Sequence, residues 1–232
     1  MIASGNQVTI PSAGMDLLEA IYTTRAMRRL KPDPIPPEIL RAILDAAIRA
    51  PSGGNQQGWY FVVVQDKELR AELAKLYKPL IDSLFQPGGP YYDQLHAADP
   101  SSVALTRRMA DSALYLGEHL QEAPAIVIPC IRTGGRPTSI VTGSSIYPAV
   151  QNLMLAARAF GIGSTLTTIH RGSQGAVREL LGIPQEVETA ALIPLGYPRG
   201  RWGVGSCRPL EEVAFGDRWG QPVNTAEAST QL

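Results

Sequence analysis

The 232-residue chain has no surplus of charge, with 21 basic against 21 acidic residues. No overall field therefore draws it to nucleic acid or to an anionic membrane, and any anion site has to be built locally. It has only two cysteines, Cys130 and Cys207, far apart and outside any C-x-x-C pattern. That argues against a disulfide framework and a zinc site and fits a reducing cytoplasm. Histidine is also scarce: His96, His119 and His170 show no metal-ligand spacing, and H-E-x-x-H is missing. No stretch approaches the roughly 18 apolar residues of a membrane span, and the first residues lack the pattern of an export signal. The chain has no G-x-S-x-G elbow, no G-x-x-x-x-G-K-[ST] loop and no G-x-G-x-x-G after a strand. The commonest hydrolase, nucleotidase and dinucleotide-binding readings therefore fall away.

A hydrophobic content of 44% provides for a sizeable core within the length of one compact domain. We read residues 15–220 as that domain, with an N-terminal arm over 1–14 and a C-terminal tail over 221–232. Leu17, Leu18 and Ile21 give a short first helix ending at the cluster Arg25-Ala26-Met27-Arg28-Arg29. If helical geometry continues, Arg25 and Arg29 share a face and can converge on a phosphate. Taken alone, the cluster reads as a solvated basic face. A proline-rich spacer leads into an amphipathic helix from Glu38 to Ala50, which Pro51 ends. Ser52-Gly53-Gly54-Asn55 lets backbone approach a ligand, although its composition also suits an ordinary turn.

Trp59–Val64 and Ala125–Ile131 read as buried strands, with a helix from Lys67 to Lys78 and another from Val103 to Glu122 around an irregular segment, 82–102. A long helix follows Gly143-Ser144-Ser145-Ile146 and ends at Phe160, where Gly161 fits a left-handed cap. Its apolar residues cover much of its circumference, as burial against a partner subunit or in the centre of the fold requires. Strands are expected at Thr165–Ile169 and Glu188–Leu195, with a helix Arg171–Leu181 between them. Helices and strands alternate without a doubly wound cadence, so the fold class is α+β, in three layers. The donor-rich loops come without an acid, base or nucleophile constellation, which suits an enzyme whose cofactor carries the hard step.

Arg25-Ala26-Met27-Arg28-Arg29-Leu30, Ala50-Pro51-Ser52-Gly53-Gly54-Asn55-Gln56-Gln57-Gly58-Trp59, Gln151-Asn152-Leu153, Gly161-Ile162-Gly163-Ser164 and Leu195-Gly196-Tyr197-Pro198 together resemble the FMN-dependent nitroreductases. The resemblance runs in order over roughly residues 15 to 215. It implies an α/β/α fold with a mixed, mainly antiparallel sheet and a domain-swapped homodimer with two interfacial flavins. It further implies hydride transfer from NADH or NADPH through FMN to a small organic acceptor by a ping-pong mechanism. On that resemblance Arg25, Ala26, Met27 and Arg29 bind the phosphate and ribityl chain, Met27 through its backbone. Pro51, Ser52, Gly53 and Asn55 form the flavin wall given by one subunit. Leu166, Thr167 and Thr168 lie under the ring with a backbone N–H towards N5, Arg208 completes the phosphate site, and Tyr91 and Tyr92 are candidate substrate contacts. Gly58 stands where many members have proline, and Thr168 and Ser206 stand near a frequent glutamate and lysine. The family also has dehalogenating, dehydrogenating and flavin-destroying branches, and a flavin-binding protein without turnover is the alternative from another class.

Overall fold

The computed structural model describes residues 12–97 and 99–223, so most of the expected arm and tail lies outside the described residues. The strand Ala125–Arg132 (β2) organises what is described, because all eight of its backbone positions face a paired neighbour and nearly all its side chains are buried. Its alternation builds the layers. Ala125, Val127 and Ile131 join one core with the helices Pro37–Ala47 (α2) and Ile140–Ala159 (α6). Ile126, Ile128 and Cys130 join a second core with Lys67–Ser83 (α3), Pro100–His119 (α5) and Gln174–Leu181 (α7). A period of two on a doubly covered strand therefore produces the expected α/β/α arrangement. The other helices are Leu17–Thr23 (α1) and the short Tyr92–Leu95 (α4) inside the irregular segment.

The sheet runs Trp59–Val64 (β1), β2, Ile193–Gly196 (β5), Gly163–Ser164 (β3), with Val187–Thr189 (β4) also on β2. All pairings among the described residues are antiparallel, the sense expected to dominate. Three expectations need correction. The strand expected over Glu188–Leu195 is broken by a bulge: Thr189 faces Cys130 and Ile193 faces Val127, so three residues oppose two. Pro129, which has no N–H to give, lies in that gap and accepts from Ala190 N at 2.8 Å. Second, the strand expected over Thr165–Ile169 is reduced to β3 and one bridge, Thr167 to Leu192, followed by a 3-10 turn Ile169–Ser173. Third, α6 starts at Ile140 rather than near Ile146, because Ser139 and Thr142 form a capping box with Thr142 N donating to Ser139 Oγ at 3.3 Å.

α6 ends as expected at Gly161, φ 74°, with Ile162 N on Ala157 O at 2.8 Å. Cys130 is fully buried and desolvation pushes its thiol up to about 12, with Arg178 opposing the shift. A thiol reagent added to the native protein should leave Cys130 unmodified until denaturant is present. Alkylation at Cys130 in the native state, read by peptide mass, would contradict this packing.

Candidate functional site

The helical route to a shared arginine face fails, because α1 stops at Thr23 and Thr24 is extended (φ −65°, ψ 135°). The cluster is instead laid down as an extended segment. Met27 N donates to Ser164 O at 2.8 Å, Lys31 N to Tyr197 O at 2.7 Å and Arg199 N to Arg29 O at 2.9 Å, while Arg199 Nε holds Leu30 O at 3.0 Å. Met27 and Leu30 turn inward to the second core, leaving Arg25 and Ala26 exposed and Arg28 half-buried. Arg29 lies with its guanidinium 4.5 Å from the centroid of the Tyr115 ring on α5. The extended backbone thus separates the three arginines by environment.

Two glycines make this close approach feasible. A Cβ on Gly163 would sit 2.9 Å from Met27 Cβ and 3.1 Å from Leu30 Cδ2, and one on Gly196 would sit 3.2 Å from Leu30 Cβ. Gly163→Ala should therefore destabilise the fold by about 1–3 kcal/mol, the usual cost of overpacking. Urea unfolding checks this, and an unchanged midpoint would mean that the segment shifts freely.

The strand end next to this segment carries the other expected residues. Leu192, aimed by the bulge, exchanges backbone hydrogen bonds with Thr167 at 2.8 and 3.1 Å. Thr167 is buried and its Oγ1 lies 3.1 Å from the hydroxyl of Tyr77, a fully buried side chain of α3. Burial raises the Tyr77 pKa, against the effects of the Thr167 hydrogen bond and the Arg28 charge. Leu166 and Thr168 are exposed on either side, and the Thr168 N–H meets no acceptor among the described residues. Immediately beyond, His170 is buried with Nε2 3.0 Å from Thr189 Oγ1, while its Nδ1 has no partner. Desolvation, helped by the Arg171 charge, lowers its pKa to about 4.

The wall residues Pro51–Asn55 lie elsewhere. Gly53 N donates to Ser145 Oγ of α6 at 3.2 Å, Asn55 N to Ser52 O at 2.9 Å and Gln57 N to Ser52 Oγ at 2.9 Å. Gly54, Asn55 and Gln57 all have positive φ, 58°, 52° and 48°, on either side of the right-handed Gln56, a concentration of left-handed residues of the kind found at functional sites. The Gly54 N–H is left without an acceptor among the described residues. Ser145 lies near the start of α6. The arginine segment is tied to its other end, where Arg158 donates to Thr23 Oγ1 at 2.9 Å and stacks 4.3 Å over Trp202. Thirteen residues at 1.5 Å rise separate the two anchor points by about 20 Å. No described hydrogen bond joins the two groups.

Arg208 is exposed and its Nε donates to Glu212 Oε2 at 3.0 Å, away from the arginine segment's contacts. Tyr91 stacks on Phe85 at 5.5 Å and Tyr92 meets the His96 ring at a tilt, 4.2 Å between centroids, both within segment 82–102. The sequence gives no sign of a role for Tyr77, Ser145 or Arg158, and it places Arg28 in the basic cluster without a ligand role. Arg28 carries a legible signal there: in an extended chain the buried Met27 places its neighbour Arg28 on another side. Tyr77 reads only as one more apolar position on a helix. Among the described residues no group of three metal-ligating side chains assembles, and no helix is long and apolar enough to cross a membrane.

This chain belongs to the nitroreductase family, whose model matches residues 21–197. It is similar to a protein named NADH dehydrogenase from Thermus thermophilus, 28% identical over 220 residues covering 90% of this chain and 98% of that one. Among solved structures it resembles the NADPH:FMN oxidoreductase of Vibrio harveyi in complex with NAD+, with a TM-score of 0.65, 21% identity and coverage of 90% and 79%. It also resembles an iodotyrosine deiodinase bound to FMN and 3-iodo-L-tyrosine, with a TM-score of 0.62, 24% identity and coverage of 88% and 99%.

Proposed function

We propose that the chain is an NAD(P)H-dependent FMN oxidoreductase that reduces a small organic acceptor, a nitroaromatic, quinone or related electrophile. The names of its relatives support both cofactors. The observation that carries the reading is the unpaired Thr168 N–H at a strand end to which the arginine segment is tied through Met27 N and Ser164 O. That edge fits an FMN: backbone and guanidinium donors, no carboxylate among residues 163–168, and glycines where backbone must come close. When bound, FMN would supply hydride chemistry between NADH or NADPH and the acceptor, the basis of a ping-pong cycle.

The protein's own groups do the positioning. The Thr168 N–H would donate a hydrogen bond to the flavin ring, with Thr167 fixed beneath by Leu192 and Tyr77. Arg25 and Arg28 would hold the phosphate with charge-assisted bonds, while the Met27 and Ala26 backbone and Leu166 would line the approach. Such preorganised donors stabilise charge developing on a bound ring without any titrating side chain.

Pro51, Ser52, Gly53 and Asn55 lie too far along α6 to reach the same ligand from the same chain, so we assign them to the site of a second copy. A two-fold homodimer brings one copy's wall to the other's arginine segment. The exposed Leu17, Leu18 and Tyr22 of α1 supply apolar surface for such contact. Arg29, held over the Tyr115 ring, and Arg208, paired with Glu212, stand outside this reading.

Purified protein should take up FMN, and anaerobic NADH or NADPH should bleach the yellow colour. Failure to take up FMN overturns the reading. Uptake without bleaching by either donor leaves a flavin-binding protein that does not turn over.

A further inference from the structure

A cavity of about 410 Å³ opens beside the Ser52–Gly58 loop, between it and the start of α6. Its lining includes Ser52, Gly53, Thr142 and Ser145, together with Arg132 and Arg136, and contains no Asp or Glu. In a chain with zero formal net charge, that is a local excess of positive charge. Arg132 lies 5.4 Å over the Tyr60 ring and Arg136 Nε donates to Thr133 O at 3.3 Å. Neither guanidinium takes part in any ion pair among the described residues.

The adjoining cavity, about 350 Å³, shares Ile131, Ser139 and Thr142 with the first and does contain an acid, Glu188. That carboxylate is already held by Arg178 at 3.0 Å, so it does not neutralise Arg132 or Arg136. The positive end of the 20-residue helix α6 adds to the same field. Two forked guanidinium groups with unspent donors at the mouth of a concave, acid-free cavity recognise an anionic oxygen group, phosphate or carboxylate.

We infer that this cavity receives the anionic group of a redox partner that approaches the flavin wall, and that Arg132 and Arg136 select for its charge. The inference rests on the assignment of Ser52–Asn55 as a flavin wall. The anionic group has two chemical sources: a phosphate of the nicotinamide donor, or a carboxylate on the acceptor. In either case the preference should weaken as salt rises, since both arginines are solvent-accessible.

The test uses the FMN-loaded protein and an Arg132→Gln, Arg136→Gln double variant. Binding of unreactive ligands is read from the flavin absorption spectrum: benzoate against benzamide for the acceptor, and adenosine 2′,5′-bisphosphate against adenosine for the donor. The expected result is that the variant binds the charged member of at least one pair about tenfold more weakly and the neutral member unchanged, a difference of about 1.4 kcal/mol. A benzoate effect identifies a carboxylate acceptor and a bisphosphate effect identifies the donor. Equal changes for charged and neutral members, or no change in either pair, overturn the inference. So does loss of FMN affinity in the variant, because the arginines then belong to the cofactor site. An Arg132→Lys, Arg136→Lys protein keeps the charge and should retain a partial preference, which separates recognition from misfolding. Wild-type protein that takes up no FMN would instead refute the parent reading.

Discussion

An Arg25→Ala, Arg28→Ala double variant should lose at least roughly a hundredfold in FMN affinity. Each guanidinium is assigned a charge-assisted hydrogen bond to the phosphate, worth about 1.5–3 kcal/mol, so removing both costs about 3–6 kcal/mol of binding. Arg25 is exposed, Arg28 is half-buried and neither belongs to a hydrophobic core cluster, so the fold itself should survive. Either single variant should show about half the free-energy loss, whereas Arg29→Ala, whose guanidinium lies over Tyr115, should show less. Fluorescence titration of apoprotein with FMN measures all four. Equal losses for Arg28→Ala and Arg29→Ala would contradict the environments that the extended segment gives them.

The second large effect is in pH. His170 is almost wholly buried and its pKa lies at about 4 in the folded chain, below the usual 6.5 that it regains on unfolding. As pH falls, the unfolded chain therefore takes up the proton first. The stability tied to neutral His170 is fully present above pH 6.5, declines as pH falls towards 4, and is gone below that. Integrated over the interval it is on the order of 3 kcal/mol. Carboxylates titrate in the same range, so the informative quantity is the difference from His170→Gln. Urea unfolding between pH 7.5 and 4 should show a clearly flatter profile for the variant. Parallel profiles would mean that His170 is protonated in the fold or reached by water.

Much of this architecture was readable from residue pattern alone. The alternation Ala125 to Ile131 and the stripe Ile39 to Ile48 announce a doubly covered strand and a one-sided helix, because burial imposes periods of 2 and 3.6 directly on the chain. The bulge at Ala190–Leu192 was not readable, since it depends on Pro129 of another strand having no N–H, which is a non-local fact. The start of α6 was obscured by Gly143, which masks the Ser139–Thr142 cap. In the site the cluster itself was legible. Its internal geometry was not, because three hydrogen bonds from distant segments, at Ser164, Tyr197 and Arg199, pull it out of the helix that local spacing favours. Tyr77 remained hidden because a buried tyrosine on an apolar face looks like packing until its hydroxyl partner is known.

The roughly 20 Å along α6 between Ser145 and Arg158 has a genetic consequence. On the two-fold reading, damage to the loop at Ser52–Asn55 and damage to the arginines at 25 and 28 fall on opposite contributors to each catalytic centre. Two separately inactive mutants, denatured together and refolded as a mixture, should then complement each other. Each mixed pair would hold one centre with both lesions and one with neither, so activity would return in a protein in which every polypeptide is defective.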